Sequence, residues 1–132
     1  VRYPSIVKGP GAWRVEPNLA DYEAARATFS WDDARALLDG LPGGGLNIAH
    51  ECIDRHAAAE LRDRVALRWR GRHSEHAELT YEDLRAASSR FARVLETLGV
   101  TRGDRVFLLL DRVPELYVAV LGTLRFGAVA CT

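Results

Sequence analysis

The sequence contains no methionine, a single lysine at Lys8, only two cysteines, and no net charge, with Lys+Arg and Asp+Glu both totalling 18. Each absence excludes something. Balanced charge leaves no global field to recruit nucleic acid or an acidic membrane surface, so neither is expected as a partner. Cys52 and Cys131 lie far apart, in segments that read as a helix and a strand, and two cysteines do not make a secreted disulfide framework. Reduced thiols in a cytoplasmic protein are expected. No run approaches the about 18 apolar residues that a membrane span needs, and no charged segment followed by an apolar one opens the chain as an export leader would. Without methionine, Val1 reads either as an alternative start or as an interior cut. Arginine in place of lysine, with abundant alanine, fits coding bias in a GC-rich genome.

What is present is enough apolar material, 48% of 132 residues, for one core. Residues 1–18 carry Pro4, Gly9, Pro10, Gly11 and Pro17 with little periodicity, which predicts an extended arm. Asp21–Thr28 reads as a short helix. A second is expected from Ser30, whose hydroxyl can cap the first turn while Asp32 and Asp33 face the helix dipole, and it should end near Gly40 before Leu41-Pro42-Gly43-Gly44-Gly45. Asn47 is the cap of a helix expected to run to about Leu61, with Ile48, Cys52, Ile53 and Ala57 on one face. Val65–Arg70 alternates with period two and predicts a strand, with Ala77–Leu79 as its hairpin partner.

The second half is more regular. Thr80 and Asp83 form a cap signature ahead of Tyr81, Leu84, Ser88, Phe91, Leu95 and Leu98, spaced by threes and fours, and Gly99 closes the helix. Val106-Phe107-Leu108-Leu109-Leu110 is an unbroken apolar run between polar turns, the pattern of a parallel strand buried on both faces. Pro114 suits the first position of a helix that is apolar nearly all round from Leu116 to Leu124, and Gly127 ends it. Ala128-Val129-Ala130-Cys131 then begins the second strand of a right-handed βαβ unit. A sheet so started is incomplete, and the isolated piece is expected to fold poorly, aggregate or oligomerise, because each uncovered large apolar side chain forfeits roughly 1.5–3 kcal/mol of burial.

Candidate chemistry is sparse. His50-Glu51-Cys52-Ile53-Asp54-Arg55-His56 carries potential ligands, with Cys52 and His56 four residues apart, but no partner motif supplies the further ligands a zinc site uses. A helix in which Asp54, Arg55 and His56 fix packing and hydrogen bonds is the favoured reading. Gly43-Gly44-Gly45 lacks the preceding strand and following Gly-Lys-Ser/Thr of a phosphate loop. Arg102-Gly103-Asp104 spells an adhesion tripeptide but occupies a helix-to-strand turn. Ser74, His73 and His76 lack the architecture that activates a nucleophile and read as a polar hairpin tip, while Trp31 and Trp69 read as packing anchors. No catalytic, cofactor-binding or metal-binding residue is assigned.

Three stretches together resemble the beginning of an AMP-forming acetyl-CoA synthetase, in the adenylate-forming superfamily of acyl-CoA ligases. Asn18-Leu19-Ala20-Asp21-Tyr22-Glu23 with Phe29-Ser30-Trp31 is similar to that branch's N-terminal extension. Leu46-Asn47-Ile48-Ala49 and Cys52-Ile53-Asp54-Arg55-His56 resemble its "N-x-x-x-x-x-x-D-R-H" helix. Leu79-Thr80-Tyr81-Glu82-Asp83-Leu84, Gly99-Val100, Gly103-Asp104-Arg105-Val106, Pro114-Glu115-Leu116 and Gly127-Ala128-Val129 resemble the start of the superfamily's large domain. The likeness covers about residues 18–132.

The resemblance implies an α/β fold: residues 1–45 as an N-terminal helical extension and linker, and residues 46–132 as the first portion of the large domain, with a β-hairpin and an incomplete parallel βαβ sheet. It implies a parent ligase that makes acyl-CoA from acetate or a short-chain acid, ATP and coenzyme A, with Mg2+, through an acyl-adenylate. The family's phosphate loop, its adenine- and ribose-binding motifs and its C-terminal lysine do not occur here, and Lys8 does not correspond to that lysine. This piece alone is therefore expected to be inactive, to bind no cofactor, and to have the remainder of its own chain as a partner. The alternatives are a medium-chain acyl-CoA synthetase fragment, a non-catalytic α/β interaction module, or an independent nucleotide or coenzyme A binder. Acyl-chain preference, oligomeric state and regulation are not written in these residues.

Overall fold

The computed structural model describes Pro4, Gly9, Arg14, Val15 and residues 17–132. Most of the arm expected over residues 1–18, Lys8 included, lies outside the described residues. The chain divides into two units, Val1–Leu37 and Leu38–Thr132.

In the first unit, α1 (Tyr22–Thr28) is capped by Asp21, whose carboxylate accepts from the Ala24 N–H, and α2 (Trp31–Ala36) by Ser30, whose hydroxyl accepts from the N–H groups of Asp32 and Asp33. Neither helix buries a residue. Trp31 meets Phe29 edge-on at 5.0 Å but is 81% exposed, so the anchor expected there is only a surface contact. Helix α2 also stops short of Gly40. The Leu37 N–H turns back to Ala34 and Arg35, whereas the Asp39 and Gly40 N–H groups, both in the second unit, are taken by the Glu51 carboxylate instead of a helical ladder.

The second unit opens with a π-helical turn, His50–Asp54, running into α3 (Arg55–Ala57). The expected Asn47 cap is present: its side-chain oxygen accepts from the Ala49 N–H at 2.9 Å and the His50 N–H at 3.4 Å. The predicted face is half present: Ile53 and Ala57 are buried, together with Ala49 four residues before Ile53, whereas Ile48 and Cys52, a second i, i+4 pair on another side of the helix, turn outward. The helix also ends at Ala57 instead of Leu61, because the carbonyls of Arg62 and Arg64 accept the first free N–H groups of the later helix, from Glu82 and Tyr81, and hold the chain in turns.

Strands β1 (Val65–Arg70) and β2 (His76–Thr80) form the antiparallel hairpin, with a bulge between Val65 and Leu67. Its tip holds Ser74 at φ 70°, and the Trp69 indole N–H donates to the Arg112 carbonyl at 2.6 Å, the anchoring role expected of that ring. Helix α4 (Tyr81–Thr97) starts with the full reciprocal box between Thr80 and Asp83. It packs against α5 (Pro114–Phe126), and this crossing is the core: Leu84, Ser88 and Leu95 on α4, Ala119, Gly122 and Thr123 on α5. Gly127, at φ 88°, ends α5 in the left-handed region. The chain then pairs β4 (Val129–Cys131) in parallel with β3 (Arg105–Phe107), the βαβ unit read from the sequence.

The Val106–Leu110 run is the expected strand only in part, and within this chain it stays uncovered, as the incomplete sheet implied: only Arg105–Phe107 is strand, Phe107 is 80% exposed, and Leu109 and Leu110 are exposed too. Among the described residues β3 pairs with β4 alone, and no described element covers the outer face.

Candidate functional site

The side-chain chemistry of the second unit gathers in a cleft of about 680 Å3 lined by Asp39, His50, Asp54, Arg55, Ala57, Ala58, Ala59, Arg62, Glu82, Arg85 and Arg125. Helix winding presents His50 and Asp54 from one side, α4 contributes Glu82 and Arg85, and the last turn of α5 contributes Arg125. Arg125 is the keystone. Its Nη1 and Nη2 donate to the two Asp54 carboxylate oxygens at 2.7 and 2.6 Å, and its Nη2 and Nε donate to Ser88 Oγ at 3.1 and 3.3 Å. Ser88, fully buried, donates its own hydroxyl to the Leu84 carbonyl at 2.6 Å. A planar, forked cation against a carboxylate is the geometry that holds direction as well as charge.

The carboxylates of Glu51 and Glu82 are also matched. Glu51 accepts from Arg55 at 2.7 Å, and Glu82 is gripped by Arg85 with Arg62 at 3.6 Å. The Glu51 carboxyl is held down to about 2, first by the Gly40 backbone N–H and, against the opposing effect of burial, by Arg55 and the Asp39 N–H. Arg85 pulls Glu82 below the ordinary carboxylate range by hydrogen bonding, and Glu82 in turn raises Arg85. Asn47 completes the set, donating Nδ2 to the Leu124 carbonyl of α5 at 2.8 Å across 77 residues. These side chains clamp three helices together. Their charges are spent on one another, leaving little for a ligand.

Of the residues singled out in the sequence, Asp54 and Arg55 do fix packing through ion pairs, and His56 lies 5.2 Å from the Tyr81 ring. Cys52 points out of the cleft, its Sγ donating to the Ile48 carbonyl, and burial pushes its thiol up. Among the described residues no group of three metal-ligating side chains comes together. In Gly43-Gly44-Gly45, the Gly44 N–H is already given to Leu41. Asp104 accepts from the Thr101 N–H and hydroxyl, so the Arg102-Gly103-Asp104 segment is the turn expected. The roles of Arg125, Ser88 and Asp39 were not found from sequence, and Glu51 was named only within the His50–His56 run. A signal existed for two of them, since a serine on the apolar stripe of α4 and an arginine closing an apolar helix each call for a buried partner.

Comparisons with known proteins agree on one relationship. The family described as AMP-binding enzyme matches residues 54–132. An acetyl-coenzyme A synthetase of Shewanella baltica is 40% identical over 130 residues, 95% of this chain and 20% of that protein. One from Leptospira biflexa is 41% identical over 99 residues, 74% of this chain and 15% of that protein. The crystal structure of a Brucella canis acyl-CoA synthetase superposes with a TM-score of 0.74 at 43% identity, covering 83% of this chain and 20% of that one. The chain thus spans 15–20% of the length of these relatives.

Proposed function

Because this chain belongs to the AMP-binding enzyme family, we propose that it supplies the opening section of an AMP-forming acetate-CoA ligase. The observation that carries this reading is the 40% identity to an acetyl-coenzyme A synthetase across 95% of the chain. The parent would convert acetate or a short-chain acid and Mg-ATP to an acyl-adenylate, release pyrophosphate, and hand the acyl group to coenzyme A in the cytoplasm. Residues 1–45 would be its N-terminal extension and residues 46–132 the first portion of its large domain.

The described residues do not fit ATP, Mg2+ or coenzyme A. The cleft's arginines are matched by Asp54, Glu51 and Glu82, and no described cluster offers three metal ligands. No catalytic step is therefore assigned to a side chain of this section. Its contribution is a scaffold: the Asn47–Ala57 helix, α4 and α5 clamped as one body from which the parallel sheet continues. The exposed Phe107, Leu109 and Leu110 support the remainder of the same polypeptide as the partner that covers the sheet.

Acetate-dependent exchange between ATP and pyrophosphate, measured on the full-length protein carrying this chain, tests the proposal. Exchange that requires acetate is expected, and medium-chain acids should support it poorly. A preference for medium-chain acids would move the protein to the neighbouring acyl-CoA synthetases, and no exchange with any carboxylate would overturn the reading.

A further inference from the structure

His50 sits between two carboxylates in a way the ligase reading does not use. Its Nε2 lies 3.5 Å from Asp39 Oδ2 and its Nδ1 lies 4.0 Å from Asp54 Oδ2. The imidazole is about four-fifths buried, and Nε2 has no hydrogen-bond partner among the described residues. A neutral imidazole has one N–H and can answer only one side, whereas the imidazolium donates at both nitrogens and meets negative charge at both. We propose that His50 is a proton-operated clasp that fastens the Asp39–Gly40 strap to the clamped helices when it is protonated and loosens it when neutral.

The surroundings say which side does the fastening. On its own helix His50 is accompanied by Glu51, Asp54 and Arg55; the turn beyond contributes Arg62, α4 contributes Glu82 and Arg85, and α5 contributes Arg125. Arg125 already holds Asp54 through both carboxylate oxygens, Arg55 holds Glu51, and Arg85 holds Glu82. Asp39 is different. Its side chain is 62% exposed, and the imidazole lies 3.5 Å from it, in a cleft that Arg55 and Arg62 also line. The gain on protonation therefore falls mainly on Asp39, and through it on the strap.

The strap has a second fastening with a different pH range. The Asp39 and Gly40 N–H groups donate to Glu51 at 3.1 and 2.8 Å, and Glu51, held down to about 2, stays charged throughout the range in which histidine ordinarily titrates. The backbone grip is constant while the side-chain grip switches.

Amide hydrogen exchange of peptides spanning Asp39 and Gly40 tests this in the full-length protein at about pH 5.5 and about pH 8, after correction for intrinsic chemical exchange. Corrected exchange should be about two- to fivefold slower at the acid pH, the size of a partly exposed ion pair. In H50Q, and in D39N, whose exposed side chain can be changed without loss of the fold, that ratio should fall to about one. E51Q should speed exchange at both pH values and keep the ratio. A wild-type ratio near one, or a full ratio retained in both H50Q and D39N, would overturn the clasp, and neither result bears on whether the protein activates acetate.

Discussion

Replacing Gly122 by alanine sets two opposed energies against each other at the crossing of α4 and α5. Alanine is favoured over glycine inside a helix by about 1 kcal/mol, so the change should stabilise α5 considered alone. A Cβ at this position would lie 2.8 Å from the Ser88 carbonyl oxygen, 2.8 Å from Phe91 Cδ1 and 2.9 Å from Phe91 Cβ. The Phe91 ring can turn away, but its Cβ and the Ser88 carbonyl are fixed by the α4 backbone and cannot. The helices must separate by several tenths of an ångström, loosening the packing around Ala119 and Thr123, and overpacking of this kind costs about 1–3 kcal/mol. A 2.8 Å approach to fixed backbone puts the steric cost in the upper part of that range, about 2–3 kcal/mol, leaving a net loss of about 1–2 kcal/mol. Amide exchange over α4 and α5 in the full-length protein reads this directly, since opening by that amount speeds protected amides about 5- to 30-fold. Adding Phe91→Ala should restore only part of the loss, because it removes the ring and leaves both the Cβ at position 91 and the Ser88 carbonyl. Unchanged or slower exchange in Gly122→Ala would refute the reasoning and mean that the helices are not in limiting contact there.

Breaking the Arg125–Asp54 fork with Asp54→Asn should cost about 2 kcal/mol, between the values for exposed and fully buried pairs because both side chains are about a fifth exposed. A double-mutant cycle with Arg125→Gln should return a coupling of about 1–2 kcal/mol, and a value near zero would make the fork incidental. Thr80→Ala removes the cap of α4 and should cost about 1 kcal/mol at neutral pH. Hydrogen bonds from the Thr80 hydroxyl and N–H hold the Asp83 carboxyl below its ordinary range, so their contribution is complete above that range and fades as pH falls through the lowered folded value. The gap between wild type and Thr80→Ala, followed by chemical denaturation across acid pH, should narrow on that side, and a gap independent of pH would count against the box.

What the residues alone disclosed was local. Ser30, Asn47 and Thr80 were legible as caps because a cap joins groups within one turn, and Gly99 and Gly127 as stops because a positive φ suits glycine. The Val65–Arg70 alternation and the Pro114 helix start were equally local. The errors arose where a long-range group competed with the local pattern. Glu51 took the Asp39 and Gly40 N–H groups that would have continued α2, and Tyr81 and Glu82 took the carbonyls of Arg64 and Arg62 beyond Ala57. The Val106–Leu110 run announced apolarity on both faces, but a pattern cannot say what covers them.

The sequence by itself therefore determined the order of helices and strands, the hairpin and the parallel βαβ unit, since these follow from periodicity and turn chemistry within a few residues. Only the tertiary structure decided the charged clamp. Arg125 reaches Asp54 across 71 residues, Asn47 reaches Leu124 across 77, and His50 lies between Asp39 and Asp54. A side chain's partner is set by where α4 and α5 cross and by the extra residue wound into the π-turn, and neither leaves a mark in the spacing of the residues it brings together.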